Sequence, residues 1–158
     1  MARLFIPTRA AVLADLHAHP PRLEPGEHDQ MARYAHERAR LPLPFPKPED
    51  LANALELLVL WNAFVSGCCH GSLFDDVIVV SPSKLRGRAA LAVVHEIAHH
   101  LLEARVGVYT HGDVWLLTLC LAVPGNRLGL ARQAVSLPWP RWVVGLRGRL
   151  ERELARAA

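Results

Sequence analysis

A chain of 158 residues with a net charge of +3, 51% apolar and 21% charged, has the size and balance of one globular domain with a real core. It is too short for a large barrel enzyme, and no uninterrupted apolar run reaches the ~18 residues of a membrane span. Sixteen of its eighteen basic residues are Arg, a skew that reads as coding composition rather than as a nucleic-acid surface.

The first segment, MARLFIPTRAAVLAD, has its apolar stretch cut by Pro7, Arg9 and Asp15. It is a poor secretory signal, and the expected location is cytoplasmic. Thr8 to His17 reads as a short helix, capped by Thr8 and stopped by Pro20-Pro21. Glu27 to Arg40 is polar with a helical pattern. Leu41 to Pro48, LPLPFPKP, carries four prolines in eight residues and is expected to be an extended connector. Glu49 and Asp50 then open an apolar helix expected to run to about Ser66, acidic at its start as the helix dipole prefers. Gly67 to Ser72 is a turn-rich break that holds Cys68 and Cys69. With Cys120 the cysteines number three, an odd count that suits a reducing compartment rather than a disulfide framework.

Asp76 to Val80 is a β-branched, continuous run, hence a short buried strand. Ser81-Pro82-Ser83 closes it, and a helix is expected from Arg86 to about Arg105. Gly107 to Gly112 is a turn, after which Asp113 opens another apolar helix ending at Pro124-Gly125. A further helix lies near Leu128 to Val135, and Ser136 caps the last one, from about Pro138. From Arg127 onward seven Arg face only Glu151 and Glu153, which reads as a solvated amphipathic face. The expected fold is α+β and mostly helical, one domain over residues 1–158. Its parts are N-terminal helices and the connector over 1–48, a core over 49–125 with a small β-sheet on the Arg86 helix, and C-terminal helices over 126–158.

That helix carries Val94-His95-Glu96-Ile97-Ala98-His99-His100. His95 and His99 leave one face a turn apart, and two imidazoles there can fill two corners of a zinc tetrahedron. Glu96 is rotated about 100° from His95, too far round to join them as a ligand but placed to take a proton from an attacking water. Chance gives about 0.03 matches to His-Glu-x-x-His at this composition. The approach to His95, Ala89 to Val94, is core material, so polar groups in this helix need partners, and a metal supplies them. A catalytic zinc needs a third protein ligand and an open position. Glu103, His111 and Asp113 are the candidates, with Asp113 also readable as a plain helix cap and His111 or Tyr109 also able to polarise a substrate carbonyl.

From Asp76 to about Leu150 the chain resembles the ImmA/IrrE family of zinc metallopeptidases, which have a short strand, a helix with the HExxH motif and a second helix with Glu-Ala-Asn-x-Phe-Ala-x-x-Leu-Leu-x-Pro. Here the second piece is Asp113-Val-Trp-Leu-Leu-Thr-Leu-Cys-Leu-Ala-Val-Pro124. Its acid and proline keep the family's spacing, while Trp115 and Leu117 replace the family's Asn and Phe. The resemblance implies a zincin core over 49–125 and assigns the third zinc position to Asp113, beside His95 and His99. It implies peptide hydrolysis with Glu96 as general base, and a protein substrate such as a helix-turn-helix transcriptional repressor. The other function classes are a non-catalytic regulator on the same fold that binds a repressor or antitoxin, and a DNA-binding protein.

Asp15-Leu-His-Ala-His19 matches the Asp-x-His-x-His of amidohydrolase barrels, but neither length nor alternating strands allow that fold. Its histidines read as exposed at a helix end. Cys68-Cys69-His70 lacks the Cys-x₂₋₄-Cys separation of a zinc site. Glu96-x-x-His99 occurs once, where a di-iron bundle needs it twice. Gly129 to Leu150 has Pro138, Trp139 and Pro140 where a recognition helix needs base readers, so direct nucleic-acid binding is not expected.

Overall fold

The computed structural model describes residues 8–40, 47–61, 72–74, 77–80, 86–124 and 141–157. Six helices and three short strands are found among the described residues. Thr8 opens α1 (Arg9–Ala18) by accepting the Ala11 N–H on its hydroxyl at 3.1 Å, the bond that makes threonine a good N-cap. Proline begins both α2 (Pro25–Ala39) and α3 (Pro48–Ala54), where its missing N–H costs nothing.

α3 ends at Ala54, twelve residues before the end expected from its apolar run. Glu56 adopts φ 63°, its N–H bonds the Asn53 carbonyl at 3.0 Å, and the Leu57 N–H bonds that of Ala52 at 2.8 Å. This pair of reversed bonds is a Schellman stop, built here on Glu instead of the usual Gly. The chain leaves it extended as β1 (Leu58–Trp61). Leucines satisfy a helix and a strand alike, so periodicity could not separate the two. Residues 62–66 of that expected helix lie outside the described residues. So do the connector 41–46, the turn 67–71, the closing turn 81–83, the expected helix 128–135 and Ser136.

The sheet has the order β1, β3, β2, with β2 at Ser72–Phe74 and β3 at Val77–Val80. β1 runs parallel to β3 and pairs Leu58 with Val77, while β2 runs antiparallel and pairs Leu73 with Ile78. Both β2 and β3 lean on α4 (Arg86–Arg105), the helix that carries the His-Glu-x-x-His motif. Gly107, at φ 79°, turns the chain out of α4, a conformation that glycine adopts without a Cβ clash.

α5 (His111–Ala122) is the central element. Every residue from Gly112 to Ala122 is buried, because α4, α1, α2 and α6 (Arg141–Ala157) all pack around it. A helix enclosed on every side must satisfy its end groups from within the protein. At its C-terminal end His36 of α2 lies 2.8 Å from the Leu121 carbonyl, and Arg147 of α6 donates to the Val123 carbonyl at 2.7 Å. Both are donors to the electronegative end of the helix. Arg147 is fully buried and also pairs with Asp29 at 3.0 Å and Glu151 at 2.9 Å. One of the arginines expected on a solvated face is therefore a strut that ties α6 to α2 and α5. The architecture is α+β and mostly helical, with the small sheet against the motif helix, and no helix among the described residues is long and apolar enough to cross a membrane.

Candidate metal centre

α4 brings His95 and His99 to one face a turn apart, with ring centroids 4.9 Å from each other and planes at 86°. The third imidazole comes from His111, the first residue of α5. Its centroid is 5.0 Å from His95 and 5.5 Å from His99. The Nε2 atoms of His95 and His111 are 3.2 Å apart, and the coordinating atoms of all three rings lie within 4.8 Å of one another. Two nitrogens on one metal at ~2.0–2.1 Å, set at a tetrahedral angle, are separated by roughly 3.3 Å. The His95–His111 pair matches that edge. This is the one group of three or more metal-ligating side chains found among the described residues.

Asp113, expected at the third position from the family resemblance, is not in the cluster. Its carboxylate is fully buried and turned to the other side of the first turn of α5. There it accepts the N–H of Thr110 at 2.9 Å, of Arg22 at 3.1 Å and of Leu23 at 3.1 Å, and it meets His28 Nε2 at 2.9 Å. Thr110 and Asp113 form a capping box, each serving the other's backbone N–H. Burial alone would raise the Asp113 carboxyl, but the amides of Thr110, Leu23 and Arg22, with His28, outweigh it and hold the group below its ordinary value. The acid thus fastens the chain around Arg22 and Leu23 to α5 and is not part of the imidazole group.

The segment after α1 lies directly over this turn. A Cβ on Gly112 would overlap the His19 carbonyl oxygen and sit 2.9 Å from the Pro21 nitrogen, so only glycine allows the approach. The Thr110 hydroxyl donates to the Pro20 carbonyl at 2.8 Å. This docking carries Asp15 of α1 to the site, where its Oδ2 meets His111 Nδ1 and accepts Trp115 Nε1–H at 2.6 Å. Asp15 escaped sequence reasoning. The signal was available: it stands three residues after Val12, which is fully buried, so an acid occupies the inward stripe of a short helix. His17 and His19 of the same stretch are exposed, as expected.

Glu96 is 6% exposed, and burial pushes its carboxyl up to about 8. Together with His99, Glu103 and Tyr109 it lines a cleft of about 340 Å³. The Tyr109 hydroxyl donates to Glu103 at 2.9 Å and stands 3.5 Å from His99 Nδ1. Burial, then its bond to Glu103 and that group's charge, push the phenol up to about 12, so it stays protonated as a donor. Glu103 is therefore bound to a phenol beside the cluster and does not belong to it. Trp115 covers His95 from the core side, ring centroids 4.2 Å apart. Cys120 is buried and its thiol is pushed up to about 12 by burial, so it is an inert core residue. Cys68, Cys69 and His70 lie outside the described residues.

No family model matches this chain, and no curated protein or solved structure matches it either.

Proposed function

We propose that the chain is a zinc-dependent metallopeptidase of the zincin kind, with the metal held by His95, His99 and His111. The observation that carries this reading is the 3.2 Å approach of two Nε2 atoms beside the ring of His99. With both nitrogens unprotonated the pair repels at that distance, and a shared divalent cation turns the repulsion into binding. Imidazole donors suit zinc among the common divalent ions, while carboxylate and carbonyl sites favour magnesium or calcium. Zinc held by three protein ligands supplies Lewis acidity and a water whose pKa falls to roughly 7.

The chain's own residues supply the rest. Glu96 stands at the mouth of the cluster with its carboxylate on the cleft. It takes a proton from the attacking water and returns it to the departing amine. Because Glu96 is otherwise held protonated by burial, its use as a base relies on the positive charge beside it. Tyr109 offers a hydroxyl on the same cleft to a developing oxyanion. His111, named from the sequence as either a ligand or such a donor, serves here as the ligand. The protein substrate, and a transcriptional repressor in particular, rests on the resemblance to the ImmA/IrrE family.

The test uses zinc-loaded protein and a diverse peptide library read by mass spectrometry. New peptide termini are expected with the natural chain. Glu96→Gln should bind zinc equally well and lose about 10²–10⁴-fold in rate. Cleavage by Glu96→Gln at the natural rate, or none by the zinc-loaded natural chain, would contradict the proposal.

A further inference from the structure

We infer that Asp15, on the N-terminal helix α1, is a positioning residue that sets the tautomer and orientation of His111 for metal binding. This inference rests on the metal reading above and adds to it a part of the chain outside the span that carries the family resemblance. A histidine can present Nε2 to a metal only when its remaining proton is on Nδ1. His111 Nε2 faces His95 Nε2 at 3.2 Å, and its Nδ1 meets Asp15. An ionised carboxylate only accepts hydrogen bonds, so a neutral His111 ring carries its proton on Nδ1 and directs the Nε2 lone pair into the cluster.

Asp15 is itself fixed. Trp115 Nε1–H donates to the same Oδ2 at 2.6 Å, and Trp115 is wedged in the core at 1% exposure. The helix that bears Asp15 is docked by the approach of residues 19–21 to Gly112 and by the Thr110–Pro20 bond. The third ligand is thus held in place by an element about a hundred residues away, |i−j| = 96 from Asp15 to His111. Metal loading is thereby coupled to the docking of α1.

The test measures zinc affinity by competition with a chromogenic chelator, together with ring-nitrogen NMR of His111. In the natural chain the metal-free His111 should be the Nδ1–H tautomer. Asp15→Asn loses the carboxylate's charge, and its amide can accept from Nδ1 or, flipped, donate to it, so zinc should bind about 10–100-fold more weakly, with the His111 tautomers mixed. Asp15→Glu, which keeps the acceptor, should recover part of the affinity. A helix that merely contributes stability would leave the tautomer unchanged in both variants. Equal zinc affinity in Asp15→Asn, or a natural His111 protonated at Nε2, would overturn the inference. Should Asp15→Asn not fold, the tautomer in the natural chain decides alone. If the natural chain binds zinc and Asp15→Asn binds it as tightly, only the role of Asp15 fails. A natural chain that binds no zinc overturns the metal reading itself.

Discussion

Asp113→Ala is expected to cost about 3–5 kcal/mol of folding stability, the result of stranding several buried donors at once, while zinc still binds one ion per chain. The natural carboxylate serves Thr110, Arg22 and Leu23 amides and the His28 ring, and alanine answers none of them. A loss of that size is a large part of the 5–15 kcal/mol that holds a typical domain together. Urea unfolding of the metal-free proteins gives the difference directly as a shift in midpoint. Asp113→Asn, which keeps an acceptor and the shape, should lie between the two. A variant of unchanged stability that no longer held zinc would restore Asp113 to the metal, against the geometry.

His111→Ala should do the reverse. The ring is one-third exposed on its side-chain surface and contributes little to the core, so stability in the absence of metal should change by about 1 kcal/mol or less. Zinc affinity should fall by roughly a hundred- to a thousand-fold. Total binding of ~10–16 kcal/mol shared among the four ligands of a structural zinc assigns about 2.5–4 kcal/mol to each, which sets that range. Calorimetric titration of zinc into the two variants separates them: Asp113→Ala near the natural affinity, His111→Ala far below it. The opposite ranking would exchange their roles.

These two residues also show where a sequence yields its site and where it does not. The shared face of His95 and His99, with Glu96 next to it, was legible because its geometry is local: a helix fixes which side chains share a face, and α4 formed over the expected residues 86–105. The choice between His111 and Asp113 depended on which residue begins α5. Thr110 is the N-cap, so His111 points out at the first position and Asp113, at the third, folds back onto the cap. The Thr-x-x-acid spacing of a capping box was present in the sequence and marks an acid that the backbone occupies. Matching Asp113 to a family acid by spacing to Pro124 set the ligand reading above the cap.

The sheet was half visible. The branched run at Val77–Val80 could hardly be anything but a strand, whereas Leu58–Trp61 has no β-branched bias beyond Val59 and became a strand through pairing with β3. Asp15 was the least accessible, since its partners lie about a hundred residues away and no local pattern names them. A half-buried acid on the inward stripe of a short helix was the available sign.

X-ray absorption at the zinc edge of the loaded protein tests the shared centre most directly. Three imidazole rings per zinc at ~2.0–2.1 Å, reduced to two in His111→Ala and unchanged in Asp113→Asn, is the outcome expected of the 3.2 Å pair and its neighbour. A chain that takes up no zinc, or a spectrum with two rings and a carboxylate that vanishes in Asp113→Asn, would contradict it.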